Sequence, residues 1–529
     1  MPAASSSTNR GSGRSDLSLH LPIGDDGDRP QAQPLQDAVR EPGQTTNAEA
    51  AVTETTPLLA VGNQHDDEGG LAQHEMMTTT GGADATSASP IGAVCTLANC
   101  AVGAGVLGLP WAVSCLGVVG GALLCAAAAC LEGRTLVMIV ACGREYKART
   151  YEHLVQLALG NVAATITAGV IILYLFGSCA SYLIIIGDCL PTALKPLLML
   201  AGVKNDVPRA VAIAAASAVT SLPLSTANTL AGLAKASALT PAVLAVLAAC
   251  TVALAAKTVR DAGGSLPDDA VWLTWGAAFD KTRDPAAAIP RVVFAYQAHI
   301  PVISVMQGIR KDARFLGFGG GASIISAEGV IARSGSKNPT GVAIAVCVTS
   351  MLLCCAAYSA VGIAGYLTDP RTFGDYLVSL QQMPHAAWAS DACNAAIVII
   401  ALISYPVNYL PARDAIEHLM RADGSSSSSQ RARRLVMAIA WYVACLGVAL
   451  TVTDLGVAFQ IIGGTAGAAV IFSVPALVQW SRLSRARSRT DRSGDSSVVS
   501  SPAVALRRVE AVLLMLLSVG ILYATLVSL

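Results

Sequence analysis

The stretch from Ile91 to Leu116, IGAVCTLANCAVGAGVLGLPWAVSCL, constrains the fold most. It is long and apolar enough to cross a bilayer, which takes about 20 residues. It nevertheless contains Asn99 and the run Gly103-Ala104-Gly105, and glycine weakens a helix by about 1 kcal/mol per residue. Two structures fit this pattern. The helix breaks near Gly103 and lines a cavity with its freed backbone groups, or it stays continuous and packs closely through its small residues, with Asn99 hydrogen-bonded to a neighbour.

The composition places the chain among membrane proteins. Of its 529 residues 53% are hydrophobic and 13% are charged, whereas soluble domains average about 25% charged residues. The net charge is zero, so no nucleic-acid partner is expected. The 14 cysteines show no metal spacing and fit small apolar positions in helix interfaces. No nucleophile elbow or phosphate loop is visible, so we expect neither an enzyme nor a cofactor.

The N-terminal segment, residues 1–86, has a different composition. It is rich in Ser, Thr, Gly, Asp and Glu without apolar periodicity, which predicts a disordered cytosolic tail ahead of a membrane domain at residues 87–529. Within the tail, Glu54, Leu58 and Leu59 resemble the acidic dileucine signal that clathrin adaptors read. This predicts a lysosomal or vacuolar membrane rather than the plasma membrane, with clathrin adaptors as partners. The polar loop 313–339 is expected to be cytosolic and flexible.

Eleven apolar segments follow the pattern of transmembrane helices. They cover residues 91–116, 118–140, 163–190, 209–224, 233–256, 287–309, 341–367, 386–410, 435–452, 455–478 and 505–527. Lys and Arg are concentrated in the loops on the side of the tail, which the positive-inside rule assigns to the cytosol. An odd number of spans then places the C-terminus on the opposite side, which we call lumenal. Residues 191–208 are expected to form a short loop, and TYEHLVQLALG an amphipathic cytosolic joint.

The sixth segment also predicts a broken helix. Tyr296, Gln297 and His299 lie in its middle, and Pro301 follows them. Proline removes a backbone hydrogen bond and disturbs the turn before it. Transporters built from inverted repeats place discontinuous helices at matching positions in two halves, and spans 1 and 6 match in that way if each repeat has five helices. The two breaks together therefore favour a transporter.

Several motifs resemble one known family. NCAVGAGVLGLPWA, FAYQAHIPVI and YPVNYLPARDAIEHL are similar to segments of the amino acid/auxin permease family, especially its sodium-coupled neutral amino acid transporters and its vacuolar members. The stretch SYLIIIGDCL, with Asp188, is most similar to the lysosomal and vacuolar members. The resemblance spans about residues 87–529. It implies an all-α protein with the leucine-transporter-type fold: two inverted five-helix repeats with broken helices 1 and 6, plus an eleventh helix. It also implies secondary active transport of amino acids.

The resemblance further implies roles for individual residues. Substrate binding falls to residues of the two breaks, namely Asn99, Gly103, Ala104, Gly105, Phe294, Tyr296 and Gln297. The backbone N–H groups of the span 1 break would receive the substrate carboxylate, and the span 6 residues its amino group and side chain. Ser404 falls where the family keeps a hydroxyl near its sodium site, and Asn99 where it keeps an asparagine for the cation.

The coupling ion depends on ionisable side chains inside spans, which are costly there and mark function. The candidates are Asp188, His299, Glu132 and Asp391. Asp188 lies near the lumenal end of span 3, and a free histidine titrates at about pH 6.5. They favour proton-linked export from an acidic lumen. Sodium stays the alternative, since Asn99 and Ser404 supply oxygens that suit it. An amino acid sensor that signals through the tail is the alternative function.

Overall fold

The computed structural model describes residues 89–202, 207–226, 239–265, 267, 270–273, 284–309, 339–371, 376–381, 387–420, 427–452, 454–493 and 502–529. The chain divides into two units, Met1–Thr79 and Thr80–Leu529, and every described residue belongs to the second. The predicted tail with Glu54, Leu58 and Leu59, and residues 313–338 of the predicted loop, lie outside the described residues.

The expected membrane spans are present as helices. In the described part of the chain nine helices are long and apolar enough to cross a membrane, by length and composition: Ala104–Glu145, Asn161–Leu200, Thr240–Asp261, Pro285–Gln307, Thr340–Thr368, Ala387–Leu419, Ser429–Thr451, Leu455–Arg487 and Pro502–Ser528. Two shorter apolar helices are Pro90–Ala101 and Arg209–Val219. Because Ala104–Glu145 holds the second half of span 1 and all of span 2, these helices correspond to the eleven expected spans.

The turn between spans 1 and 2 depends on Gly117. Its backbone has φ 78° and ψ 175° within the helical stretch Leu109–Glu145, a conformation that glycine adopts without strain. The next residues pair with a lumenal loop segment, since Val118 N–H donates to Val271 O at 3.1 Å. A methyl group on Gly117 would lie 2.9 Å from the Cα of Leu273, so this glycine permits both the turn and the close approach of the loop.

The prediction of a loop at residues 191–208 is wrong for its first part, residues 191–200. Span 3 continues as a single helix, Asn161–Leu200, through Pro191 and Pro196. A proline removes one helical hydrogen bond but need not end a helix whose flanking residues favour it. The amphipathic joint, in contrast, is confirmed as the helix Tyr151–Leu159. Thr150 caps its N-terminus, because the Thr150 hydroxyl accepts a hydrogen bond from the N–H of His153 at 3.2 Å.

Packing of the spans holds the two broken helices in the interior. Span 3 packs mainly along span 8, and span 7 along span 2, while the first half of span 6 contacts spans 1, 10 and 11. Span 10 begins as Leu455–Ile462 and passes through two π-helical stretches, Gly463–Gly467 and Ala469–Ser473, before Val474–Ser493. A methyl group on Gly463 would collide with Pro290 O of span 6, so this π stretch lets the two backbones touch.

Candidate functional site between two broken helices

The predicted break in span 1 is confirmed. The first half-helix, Pro90–Ala101, ends at Val102, and Gly103 is extended with φ −133° and ψ −154°. The chain then resumes as a 3₁₀ turn, Ala104–Gly108, that leads into Leu109–Glu145. The break leaves the carbonyl end of one half-helix beside the N–H end of the next, both buried.

The glycines of this break let neighbouring spans approach closely, and they do not leave empty space beside the backbone. A methyl group on Gly103 would collide with the Tyr182 hydroxyl of span 3, and one on Gly105 would lie 2.6 Å from the Cα of Ala295 in span 6. Spans 1 and 6 therefore touch, backbone to backbone, at Gly105. The Gly105 Cα is thus packed against span 6.

The predicted break in span 6 is confirmed as well. The first half-helix, Pro285–Tyr296, ends at Gln297 (φ −62°, ψ 117°), and a second half-helix, His299–Gln307, begins after Ala298. Pro301 lies in the first turn of this second half-helix, where its missing N–H breaks no helical bond. The polar residues that marked this break in the sequence flank it on both sides.

One tyrosine of span 7 holds both broken ends. The hydroxyl of Tyr358 lies 2.8 Å from Ala101 O and 2.9 Å from Ala295 O, so it donates to carbonyls at the end of each first half-helix. Its ring meets that of Tyr296 edge-on, with centroids 4.8 Å apart. Nothing in the sequence pattern singled out Tyr358, because its two partners lie far from it in the chain.

A second tyrosine connects the predicted cation residue to the span 1 break. The hydroxyl of Tyr182 lies beside the Ser404 side chain, the backbone of Ala104 and Gly103. Ser404 itself is buried in span 8. The structure therefore brings Ser404 to the break as predicted, with Tyr182 as a neighbour that the sequence did not reveal.

Aromatic side chains cover the lumenal side of the breaks. Phe294 stacks on Phe459 of span 10, with centroids 4.8 Å apart at 18°, and meets Tyr174 of span 3 at 5.8 Å. Towards the lumen, the Arg291 guanidinium lies 3.6 Å from the centroid of the Trp111 ring and donates to Gln460 Oε1 at 3.3 Å. These contacts join spans 1, 3, 6 and 10 on the side of the breaks that the predicted orientation assigns to the lumen.

Three of the predicted binding side chains have a buried polar atom without a partner. Among the described residues, Asn99 Oδ1, Gln297 Nε2 and the Tyr296 hydroxyl have no hydrogen-bond partner, and all three side chains are buried. An unsatisfied buried polar atom costs about 1–3 kcal/mol, so such atoms mark places where a polar ligand gains binding energy. The Tyr296 side chain also lies near Cys125 of span 2 and Cys355 of span 7.

The two titratable residues predicted to couple transport lie in different places. Asp188 forms an ion pair with Arg209 of span 4 at 2.6 Å, and Arg209 also donates to Ala449 O of span 9. His299 is fully buried at the start of the second half of span 6, and its Nε2 lies 2.7 Å from Thr135 Oγ1 of span 2. Only His299 therefore belongs to one of the two breaks.

Comparisons with known proteins agree with this architecture. The family model described as transmembrane amino acid transporter protein matches residues 86–326 and 335–494. Sodium-coupled neutral amino acid transporter 7 of Xenopus laevis is 27% identical over 410 residues, which cover 74% of this chain and 80% of that protein. Vacuolar amino acid transporter 2 of Saccharomyces cerevisiae is 25% identical, with 75% of this chain and 77% of that one covered.

A solved structure shares the fold. The crystal structure of MhsT in complex with L-phenylalanine superposes with a TM-score of 0.52 at 14% identity, covering 84% of this chain and 99% of that one. The expected leucine-transporter-type fold, with broken helices 1 and 6, is confirmed by this likeness together with the two observed breaks.

Proposed function

The chain belongs to the transmembrane amino acid transporter family, and from this premise we propose that it carries neutral amino acids, with a coupled cation, from an acidic lumen to the cytosol. The expected class, a multi-pass membrane transporter of amino acids and not an enzyme, is confirmed. The substrate, the ion, the direction and the compartment form the proposal. The sensor alternative depends on the tail, which lies outside the described residues.

The observation that carries the proposal is the meeting of two helix breaks beside unpartnered polar atoms. The N–H groups of Ala104 and Gly105 begin the second half of span 1, where the positive end of a helix dipole attracts a carboxylate. Asn99 Oδ1 and Gln297 Nε2 offer an acceptor and a donor. A zwitterionic amino acid matches this set, because it presents a carboxylate and an ammonium group at a fixed separation.

Aromatic side chains favour a substrate with an uncharged side chain. Phe294, Phe459 and Tyr174 form the wall above the breaks, and such a wall would desolvate a charged side chain without a partner for it. The names of the vertebrate relatives, which include sodium-coupled neutral amino acid transporter 7 of Homo sapiens at 26% identity, point to the same substrate class.

A proton is the coupling ion we favour. Of the two residues predicted to couple transport, His299 lies buried at the span 6 break, whereas Asp188 is held in its ion pair with Arg209, so His299 is the one that meets the site. Sodium is the second candidate, because Asn99 Oδ1 lies near the carbonyl end of a half-helix and Ser404 lies beside the same break. The names of the relatives also support sodium.

Purified protein in proteoliposomes tests the proposal. Labelled neutral amino acids are offered beside lysine and glutamate, under a pH gradient and a sodium gradient imposed separately. We expect uptake of the neutral substrates, accumulation that stops when an ionophore dissipates the pH gradient, and no loss when choline replaces sodium. Uptake that needs sodium and ignores the pH gradient would replace the proton by sodium, and preferred uptake of lysine or glutamate would overturn the substrate class.

A further inference from the structure

Glu132, one of the four coupling candidates in the sequence, is a buried carboxylic acid that takes no part in the site described above. It lies in the middle of span 2, is 0% exposed, and neither of its carboxyl oxygens has a hydrogen-bond partner among the described residues. No described cationic side chain interacts with it. Arg134, two residues away, pairs instead with Glu510 of span 11 at 2.7 Å.

The titratable side chains found within electrostatic range of Glu132 in the described part of the chain are Tyr174 of span 3 and Cys354 and Tyr358 of span 7. None of these supplies positive charge. Burial of a charge without a partner is costly, so the described surroundings offer a negative charge at Glu132 neither a cation nor a hydrogen-bond donor.

Two contacts connect this acid to the transport site. Tyr358, within electrostatic range of Glu132, is the residue whose hydroxyl holds the ends of both broken helices, at Ala101 O and Ala295 O. One turn along span 2, the Thr135 hydroxyl contacts His299 Nε2 at 2.7 Å, at the first residue of the second half of span 6. Span 2 therefore contacts the span 6 break at Thr135, and its Glu132 lies within electrostatic range of the tyrosine that holds both breaks.

The Thr135 hydroxyl has one hydrogen and three partners. Thr135 Oγ1 lies 2.7 Å from His299 Nε2, 3.0 Å from Glu132 O and 3.3 Å from Leu131 O, and the tautomer of His299 determines which of them receives the hydrogen. The other ring nitrogen of His299, Nδ1, has no partner among the described residues.

We propose that Glu132 is the residue that carries the coupled proton, with Tyr358 and the Thr135–His299 pair linking its protonation to the two helix breaks. This inference rests on the proposed proton coupling.

The proton from the lumen forms the O–H bond of the neutral acid, and the same bond breaks when the proton leaves to the cytosol, so no electrons are transferred. Loss of the proton leaves an anion that needs a donor, and the Tyr358 hydroxyl is the one within electrostatic range that also holds the two breaks. Its withdrawal from Ala101 O and Ala295 O would release both broken ends, which couples the proton to the shape of the site.

The variant Glu132→Gln tests the assignment. Glutamine has the shape and hydrogen-bonding capacity of the neutral acid but cannot release a proton. In vesicles containing a pH-sensitive dye, addition of a neutral amino acid should move protons with the wild-type protein and not with E132Q, and E132Q should lose accumulation driven by a pH gradient. Exchange of labelled for unlabelled amino acid, which needs no net proton movement, should persist. The matched control Asp261→Asn, at an exposed acid that ends the helix Thr240–Asp261, should retain all three activities.

The possible failures are distinguishable. Proton movement by E132Q equal to that of the wild type would overturn the role of Glu132 while leaving proton coupling in place. A wild-type protein that exchanges amino acids but moves no protons would overturn the proposed coupling and the carrier together.

A second measurement covers the case in which E132Q does not fold. Dicyclohexylcarbodiimide reacts with protonated carboxyls in apolar surroundings, so the wild-type protein should be labelled at Glu132, with labelling that decreases as the pH rises. Absence of label at Glu132 across the pH range would count against the assignment. In Glu132→Asp, transport should persist with a displaced pH profile, which a purely structural acid would not cause.

Discussion

At the scale of single residues, Tyr358 determines how the two breaks are joined. A broken helix leaves backbone carbonyls without partners, and in a membrane interior each such group must find one within the protein. The Tyr358 hydroxyl serves two of them, at Ala101 and Ala295, in different spans. One side chain thus fixes the distance between the carbonyl ends of spans 1 and 6, where we propose that the amino acid binds.

Tyr358→Phe should therefore impair transport more than stability. Loss of the hydroxyl leaves two buried carbonyls short of a donor, for which we expect a cost of about 1–3 kcal/mol. Because that cost falls on the breaks themselves, the transport rate should drop while the protein remains folded in the membrane. Thermal unfolding of the purified protein and uptake into proteoliposomes measure the two effects.

Tyr366→Phe is the matched control for this prediction. Tyr366 is also a buried tyrosine of span 7, but its hydroxyl accepts from Val271 N–H of the lumenal loop at 2.9 Å. We expect a comparable loss of stability and nearly normal transport. Equal loss of transport in both variants would mean that Tyr358 acts through general stability alone.

The sequence could predict the residues that break the helices but not the residues that hold the breaks. Asn99, Gly103 and Gln297 stand out because polar or flexible residues are unusual in a membrane span. Tyr358 and Tyr182 are ordinary residues for a span, and their importance comes from partners far away in the chain. Likewise, Asp188 was visible as a buried acid, but its partner Arg209 depended on the packing of span 4 against span 3.

At the scale of helices, the crossing of spans 1 and 6 depends on one glycine. The first carbon of any side chain at Gly105 would lie 2.6 Å from the Cα of Ala295. Such a contact is far shorter than the approximately 3.5–4.0 Å of ordinary carbon contacts, and it involves backbone that cannot turn aside. The two helices touch at this point only because the residue is glycine.

Gly105→Ala should consequently separate the two broken helices and abolish or strongly reduce transport. We expect overpacking to cost about 1–3 kcal/mol and the site to widen at the position where we propose that the substrate carboxylate binds. Uptake assays, with surface or vesicle fractionation to confirm membrane insertion, measure the result. Gly169→Ala in span 3 is the control, because a methyl group there meets nothing within 4 Å and alanine favours the helix. Normal uptake by Gly105→Ala would show that the crossing tolerates displacement.

Helix positions were more predictable than helix ends. Apolar length located the spans, and glycine and proline located the breaks, because both signals act within a few residues. The helical segment after Pro191 and the π-helical stretches of span 10 were missed. Both depend on what packs alongside: the π stretch beginning at Gly463 lies against Pro290 O of span 6, a contact that local sequence does not contain.

At the scale of the whole molecule, the basic residues that predicted orientation also stabilise the side assigned to the cytosol. Span 10 continues beyond its apolar part, and Arg485 donates to Leu157 O at 2.9 Å, which fastens the amphipathic helix Tyr151–Leu159. Glu417 of span 8 pairs with Arg434 of span 9 at 3.0 Å. These contacts give the arginines a structural role beside the topological one, and they agree with a single cytosolic face below both breaks.

The predicted orientation puts the N-terminal tail on the cytosolic side, where adaptors read dileucine patterns. Glu54, Leu58 and Leu59 lie outside the described residues, so the proposed compartment rests on the pattern and on the predicted side of the membrane.

The double variant Leu58→Ala, Leu59→Ala should move the protein from the lysosome- or vacuole-like membrane to the plasma membrane. The physical reason is that two adjacent leucines would fill an apolar groove of the adaptor, and removal of both side chains loses about 1.5–3 kcal/mol of burial for each. Imaging of the tagged protein measures the shift, and a pull-down of purified clathrin adaptor by the tail measures the contact. Leu17→Ala with Leu19→Ala, elsewhere in the tail, should change neither. An unchanged location would mean that the dileucine pattern gives no support to an acidic lumen. The vesicle assays supply their own gradient and would still decide the coupling ion.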